Sequence, residues 1–300
     1  MKTTSGHFPD FLGIGATRGG SSWLYRVLSR HPDVWMPPVK ELHYFDKPRD
    51  GRRSVTFSAK VPAVRLRDYL QGERRRSTGD GLLETVCWDL RYFFTPRSLE
   101  WYQSLFRPRE GQITGEVTPA YAIMPDETVR RIAQLNPEIK ALYMLRNPID
   151  RAWSGIVNNL ARKKRRHISR VPTEELLRKV ESAERSKRND YAANIRTWRA
   201  ALGEERLFLG YMEEIKTTPE ELIGRICRFL EISEPDDEVK RSVQEQVNTT
   251  KRYGAPMPPE VRRRLARLLL PKIEEIAELV GGHAETWLAE ARKLAPGAPH

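Results

Sequence analysis

The chain has 300 residues, 39% hydrophobic and 31% charged, so a sizeable folded core is expected and wholesale disorder is not. Lysine and arginine outnumber aspartate and glutamate by 52 to 40, and this net charge of +12 points to an anionic partner: nucleic acid, a membrane surface, or a phosphate- or sulfate-bearing ligand. Two distant cysteines, Cys87 and Cys227, make neither a disulfide framework nor a zinc site.

Five short apolar runs are typical of buried strands, and they occupy residues 11–15, 34–36, 113–117, 141–145 and 207–211. Segments with helical periodicity separate the runs, among them 21–29, 128–135 and 151–160. Strands that alternate with helices predict an α/β fold with a P-loop-like central parallel sheet flanked by helices.

The remaining segments complete the predicted organisation. Residues 47–81 break the strand–helix rhythm and are predicted to be a loop-rich insertion. After residue 211 the chain is predicted to be helical, over 219–231 and 258–280, with two glycines as a stop signal. Because no flexible linker divides it, we predict one domain over residues 8–285 and a C-terminal tail over 286–300.

The N-terminal ten residues are polar and lack the apolar core of a signal peptide, and no apolar run approaches the length of a membrane span. We therefore expect a cytoplasmic protein without a transmembrane anchor.

The first strand leads into a glycine-rich loop. Gly15 and Gly20 have the spacing of a Walker A loop, but Ser21 replaces the lysine, and the positive residue is Arg18 within the loop. Glycines let the backbone wrap an anion, while the N–H groups and dipole of the next helix point at it. The strand before Arg146 also lacks a Walker B aspartate, so the magnesium-nucleotide machinery of phosphoryl transfer is missing. The alternative is a tight strand-to-helix turn without a ligand.

Arg146 and Ser154 lie eight residues apart. Arg146 closes a predicted strand, Pro148 suits the first turn of a helix, and Ser154 follows about two turns later. A guanidinium and a hydroxyl placed in this way can converge on one phosphate. The alternative is an arginine that caps the sheet and a serine packed on a helix.

With these features in view, the chain resembles the PAPS-dependent sulfotransferases, especially heparan-type and bacterial carbohydrate enzymes (PAPS is 3′-phosphoadenosine-5′-phosphosulfate). Residues 15–24 resemble the family's 5′-phosphosulfate loop, and 40–46, Lys-Glu-Leu-His-Tyr-Phe-Asp, resemble its Lys-Glu-x-His-Phe-Phe-Asp segment. Residues 116–121, Glu-Val-Thr-Pro-Ala-Tyr, and 145–154 resemble its central block and 3′-phosphate site. A weaker match covers 248–253, and the likeness spans most of the chain.

The resemblance implies that PAPS is the co-substrate and that no metal is needed. The by-product would be PAP, 3′-phosphoadenosine-5′-phosphate. It assigns the 3′-phosphate to the pair Arg146 and Ser154. The residues expected to hold the donor are Arg18, Gly19, Gly20, Ser21, Ser22, Trp23, Arg146, Ser154, Lys251, Arg252 and Tyr253. The last three would form a loop over the nucleotide, or else an ordinary basic loop.

The resemblance also implies the catalytic residues. Glu41 corresponds to the base that removes the acceptor proton, and we expect burial to raise its pKa. His43 is the next catalytic candidate and, with Asp46, is placed to orient Glu41. The alternatives are a surface ion pair between Glu41 and Lys40, and a structural histidine. Arg18, where most relatives carry lysine, corresponds to the cation near the bond that breaks; because arginine does not give up a proton, its role would be electrostatic.

The acceptor is predicted to be a glycan or a small hydroxylated molecule, modified at a hydroxyl or an amine. Family members often carry lysine at the position of Val117, and this difference leaves the acceptor class open. The basic run 162–166 is either a solvated helix end or part of a groove for an anionic acceptor. Trp88 and Trp101 belong to the core or stack on a sugar.

Two other functions are considered. A P-loop small-molecule kinase requires the Walker A lysine and magnesium ligands that the sequence lacks. The charge allows a basic nucleic-acid-binding protein, but the sequence has no helix-turn-helix, zinc or RNP-type signature, so no specific nucleic acid partner is expected.

Overall fold

The computed structural model describes residues 7–46, 82–160, 167–245 and 256–295. In these ranges five strands form one sheet. The strands are β1 (Phe11–Gly15), β2 (Val34–Trp35), β3 (Ile113–Val117), β4 (Lys140–Leu145) and β5 (Leu207–Tyr211). Each lies within one residue of its predicted bounds, and the predicted insertion at 47–81 lies outside the described residues.

All strand pairs in the sheet are parallel, and the spatial order is β2-β3-β1-β4-β5. From the central strand β1 the chain goes to the edge strand β2, returns to β3 beside β1, and then crosses to the other side for β4 and β5. In such a sheet, the crevice beside the central strand opens at the carboxyl ends of the strands, where ligands bind. The glycine-rich loop after β1 begins at this position.

The described helices cover both faces of the sheet, which confirms the predicted fold class. They are α1 (Ser21–Leu28), α2 (Leu82–Phe94), α3 (Leu99–Ser104), α4 (Asp126–Leu135), α5 (Pro148–Asn158), α6 (Thr173–Glu184), α7 (Tyr191–Leu202), α8 (Met212–Thr217), α9 (Pro219–Leu230), α10 (Asp237–Val243), α11 (Pro259–Val280) and α12 (His283–Leu294). Short 3-10 turns occupy Tyr121–Ile123, Ile168–Arg170 and Lys187–Asn189.

The apolar sequence of β4 reflects burial on both sides. Tyr143 and Leu145 pack into a core with side chains of α5, α7 and α11, whereas Leu142 and Met144 pack into a second core with α1 and α9. Because successive side chains of a strand point to opposite faces, a strand covered on both faces needs an unbroken apolar run. This explains why the pattern was visible in the sequence.

A third cluster is aromatic and contains the two tryptophans considered for sugar stacking. Trp88 and Trp101 are both 2% exposed. The indole N–H of Trp88 donates to the carbonyl of Leu105 at 2.8 Å, and that of Trp101 to the carbonyl of Arg91 at 3.0 Å. Both rings are therefore core residues, and the sugar-stacking alternative is wrong for this structure.

The C-terminal helices form a hairpin, which extends the core past residue 285, where the domain was predicted to end. Gly281 and Gly282 have φ of 63° and 56°, which glycine adopts without steric cost, and α12 folds back against α11. Trp287 is buried and its indole N–H donates to Glu213 at 2.9 Å. Burial recurs at Ala291 and Ala295, so one face of α12 packs on the core.

Two further observations concern the described part of the chain. No helix there combines the length and apolar composition needed to cross a bilayer. Cys87 is exposed and Cys227 is buried, and both are free thiols.

Candidate active site

The loop between β1 and α1 lies tightly over the end of the sheet. The Ala16 amide donates to the carbonyl of Met144 at 2.6 Å, and the Gly19 amide donates to the carbonyl of Ala16 at 2.9 Å. A Cβ at Gly19 would lie 2.6 Å from the Met144 oxygen, and Gly20 has φ of 108°. Glycine is therefore required at both positions for this path of the backbone.

The loop ends at the N-terminus of α1. Gly20 is the N-cap and supplies no side-chain acceptor, and the amides of a first helical turn lack intrahelical partners. Such amides, with the helix dipole, suit an anion. Ser21 and Ser22 open the helix as predicted. The side chain of Trp23 instead points into the core, where its indole N–H donates to Val243 at 3.1 Å, so only the Trp23 backbone could meet a ligand.

Arg18, Arg146 and Ser154 lie together beside the loop. The Nε of Arg18 donates to the Ser154 Oγ at 2.9 Å, and Nη1 of Arg146 donates to the Arg18 carbonyl at 3.1 Å. Helix α5 positions Ser154: the Asn147 side chain caps its N-terminus by accepting from the Ile149 amide at 3.0 Å. The sequence had placed Arg18 apart from this pair, near the bond that breaks, whereas the structure holds its guanidinium on Ser154.

A third arginine, Arg151, lies on the same helix as Ser154. Arg151 is buried, and its Nε donates to Asn189 Oδ1 at 2.7 Å. Burial lowers the pKa of the Arg151 guanidinium. The Tyr191 hydroxyl donates to the carbonyl of Arg146 at 3.1 Å, which fixes the backbone where that side chain begins. Sequence reasoning did not single out Arg151, although it lies one helical turn before Ser154.

The segment after β2 supplies a second group of charged side chains. Lys40 Nζ lies 3.3 Å from the Ser21 Oγ and 2.8 Å from Glu41 Oε1. The ring of His43 lies between two carboxylates: Nε2 is 3.5 Å from Glu41 Oε2, and Nδ1 is 2.8 Å from Asp46 Oδ2. The structure thus joins the predicted base, histidine and aspartate in one chain of contacts. Lys40, considered only as a surface partner of Glu41, connects that chain to the glycine-rich loop.

The electrostatics of Glu41 differ from the expectation. Burial raises the pKa of its carboxyl, but the His43 hydrogen bond and the Lys40 ammonium outweigh burial and lower that pKa to about 2. The expectation that burial would dominate was wrong, because it ignored two donors within contact distance. At neutral pH the Glu41 side chain is an ionised acceptor, held by its neighbours.

Three other predictions concern residues outside the ranges that the structure describes: the nucleotide loop 251–253, the basic run 162–166, and the fourth motif from residue 248. Among the described residues, no cluster of three or more histidine, cysteine, aspartate or glutamate side chains is arranged to hold a metal ion.

Comparison with known proteins bears on this arrangement. A family model described as the Sulfotransferase family matches residues 9–236, which is more than half of the chain. Heparan sulfate glucosamine 3-O-sulfotransferase 6 of Mus musculus is 29% identical over 156 residues, 52% of this chain and 32% of the relative. Heparan sulfate glucosamine 3-O-sulfotransferase 3B1 of Homo sapiens is 25% identical over 160 residues, 53% of this chain and 29% of the relative. The matched region is thus about a third of the length of these relatives.

Two solved structures share the fold. The sulfotransferase domain of the Synechococcus PCC 7002 olefin synthase has a TM-score of 0.52 at 18% identity and covers 95% of this chain and 96% of its own, a likeness of fold alone. A sulfotransferase from Alicyclobacillus acidocaldarius has a TM-score of 0.63 at 25% identity and covers 93% of this chain and 98% of its own. The family model, the relatives and this structure confirm the resemblance drawn from the motifs: the chain belongs to the sulfotransferase family.

Proposed function

We propose that the protein transfers a sulfuryl group from PAPS to a hydroxyl or amine of a carbohydrate. One observation carries the proposal: the amides of the glycine-rich loop lie between two groups of polar and charged side chains. Arg18, Arg146 and Ser154 stand on one side, and Lys40 joins the loop to the carboxylate of Glu41 on the other. A donor with two anionic groups, a 3′-phosphate and a 5′-phosphosulfate, fits these cations and amides, and a carboxylate suits an acceptor proton.

The residues present fit PAPS. Arg146 and Ser154 would hold the 3′-phosphate, and the loop amides before α1 would hold the 5′-phosphosulfate. Bound PAPS supplies an activated sulfuryl group, whose transfer leaves PAP. Arg18 and Lys40 would stabilise negative charge near the loop, and stabilisation by fixed cations helps catalysis when the charge is greater in the transition state.

Glu41 would accept the proton of the acceptor hydroxyl or amine. With its pKa lowered to about 2, the carboxylate is ionised but only weakly basic. The Lys40 ammonium contacts both the loop serine and Glu41, so a donor anion in the loop would compete for it. Withdrawal of Lys40 toward the donor would raise the pKa of Glu41 and make it a better base once the donor is bound.

The acceptor class is proposed from the relatives. Both are named as heparan sulfate glucosamine 3-O-sulfotransferases, and their matched regions cover half of this chain. The net charge of +12 suits an anionic glycan. No described contact favours a kinase or a nucleic-acid-binding protein over this function. A location in the cytoplasm stays a prediction.

The experiment offers sulfate-labelled PAPS with a set of glycans that includes heparan sulfate and its N-desulfated form. We expect label on a glycan, and we expect Glu41→Gln to lower transfer by about 10²–10⁴-fold, as loss of a positioned base does. PAP should still raise the melting temperature of Glu41→Gln, since Glu41 is not proposed to hold the donor. Transfer of γ-phosphate from ATP without any sulfate transfer would favour the kinase instead.

A further inference from the structure

A carboxylate that the proposed mechanism does not use lies buried beneath the Glu41 segment. Glu116, in β3, is 1% exposed. Its Oε1 accepts from the hydroxyls of Tyr102 at 2.6 Å and Tyr121 at 2.9 Å, and its Oε2 accepts from the hydroxyl of Thr118 at 2.6 Å. These three partners are neutral donors, and all of them direct a proton at the carboxylate.

The same carboxylate is bonded to the segment that carries the proposed base. The backbone amide of Leu42 lies near Glu116 and helps to lower the pKa of its carboxyl. The Tyr121 hydroxyl, which donates to Glu116, itself accepts from the amide of Tyr44 at 2.9 Å. Through Tyr121, Glu116 therefore fixes the backbone of Tyr44, which directly follows His43.

The held segment has an unfavourable backbone conformation. Glu41 and His43 have φ of 68° and 54°, in the left-handed region that side chains other than glycine adopt at a cost. Conformations of this kind persist only where the surroundings determine them. The bond at Tyr44 is part of such surroundings, and the Glu41 amide adds a bond to the carbonyl of Val117 at 3.2 Å.

Keeping Glu116 ionised is costly for the fold. Burial raises the pKa of its carboxyl, which the hydroxyl donors only partly offset. An apolar side chain of similar volume would fill a core without this cost. An apolar side chain cannot accept several hydrogen bonds, and here that property connects β3, through Tyr121, to the Tyr44 amide of the Glu41 segment.

We propose that Glu116 is a positioning residue: its bond to the Tyr121 hydroxyl, which in turn accepts from the Tyr44 amide, holds Glu41 and His43 in their places beside the glycine-rich loop. The proposal rests on the proposed role of Glu41 as the base. It assigns to Glu116 an action through the backbone of the segment, without contact with either substrate.

Two matched variants test whether Glu116 positions the Glu41 segment through Tyr121. Tyr121→Phe and Tyr102→Phe each remove one buried hydroxyl that donates to Glu116 Oε1, so each removes the same kind of bond from the carboxylate. Only Tyr121→Phe also removes the acceptor of the Tyr44 amide. A purely structural role for the cluster predicts the same behaviour of the two variants.

The first measurement follows Glu41 itself through the ¹³C shift of its carboxyl, identified by its loss in Glu41→Gln. In the wild type and in Tyr102→Phe we expect no titration of Glu41 between about pH 3.5 and 6, because Lys40 and His43 hold its pKa at about 2. In Tyr121→Phe these contacts loosen, and we expect the pKa to rise into that range.

The second measurement is hydrogen exchange of a peptide that covers residues 41–46. We expect exchange about tenfold faster in Tyr121→Phe than in Tyr102→Phe, as loss of a buried hydrogen bond implies. Glu116→Gln, if it folds, should behave like Tyr121→Phe, because an amide nitrogen would face hydroxyl donors. Identical Glu41 titration and identical exchange in the two tyrosine variants would overturn the proposal.

The proposal and the proposed function fail separately. Neither measurement needs a substrate, so both decide the positioning role whether or not PAP binds. Absence of a PAP-induced melting shift in the wild type would count against the proposed function alone. With heparan sulfate as the probe acceptor, Tyr121→Phe should lower kcat and leave the KM for PAPS unchanged, since the 3′-phosphate residues are not touched.

Discussion

At the scale of single residues, Lys40 is the group that connects donor and acceptor chemistry. Its ammonium lies 3.3 Å from the loop serine Ser21 and 2.8 Å from Glu41. A cation in this place favours the ionised form of Glu41 and lowers its pKa in the folded protein. The ionised Glu41 therefore stabilises the fold at pH values above its unfolded pKa of about 4.3. This stabilisation is lost as the pH falls through the folded pKa of about 2. Exposure of the pair to solvent keeps this contribution small.

Lys40→Met removes the cation and keeps a side chain of similar length. We expect the pKa of Glu41 to rise from about 2, because His43 and burial then act without Lys40. The acid limb of the kcat/KM profile should move to higher pH in the same direction. Lys40→Arg serves as the control, since it keeps the charge. An unchanged carboxyl titration in Lys40→Met would mean that His43 alone sets the pKa of Glu41.

At the scale of elements, the unit formed by β1, its loop and α1 shapes the donor site. The loop follows the sheet so closely that a Cβ at Gly19 would lie 2.6 Å from the carbonyl oxygen of Met144. That oxygen is fixed in the central sheet by its bond to the Ala16 amide, so the loop must move if a side chain is added.

Gly19→Ala should therefore displace the loop amides from the site. We expect it to lose most of the PAP-induced melting shift and to destabilise the protein by about 1–3 kcal/mol, the usual cost of overpacking. Gly224→Ala is the matched control, because Gly224 lies in α9 and its added Cβ would meet atoms no closer than 3.5 Å. The control should keep the full PAP shift and be stabilised by up to about 1 kcal/mol. Equal PAP shifts in the two variants would contradict the role of the loop.

At the scale of the whole molecule, ligand binding should raise the free energy of unfolding. A ligand at about a hundred times its Kd adds about 2.7 kcal/mol to the native state. PAP should raise the melting temperature more than ADP, which lacks the 3′-phosphate proposed for Arg146 and Ser154. The measurement is thermal unfolding at a fixed ionic strength, because the net charge of +12 makes anion binding salt-dependent.

Arg146→Ala should bring the PAP and ADP shifts to the same value. The Arg18 carbonyl also loses its bond to Arg146 in this variant, so the ADP shift reports any change of the loop itself. If Arg146→Ala kept the preference for PAP, the 3′-phosphate would be bound elsewhere, and the loop 251–253 would become the next place to test.

What the sequence by itself determined was local or periodic. A strand buried on both faces requires a continuous apolar run, so the five strands could be located to within one residue. Short local sequences also predicted backbone conformation. Examples are the glycines after β1 and the sequence Arg-Asn-Pro before the first turn of α5. The family could be identified from the motif blocks, because each block is a short contiguous segment of sequence.

What only the tertiary structure decided depends on residues far apart in the chain. Arg18 meets Ser154, and Glu116 meets the Glu41 segment, because parallel strands bring their carboxyl ends to one edge of the sheet. The lowered pKa of Glu41 depends on the orientation of two neighbouring side chains, which spacing does not specify. The packing of Trp88 and of α12 likewise depends on which surfaces face each other, and that is a property of the assembled core.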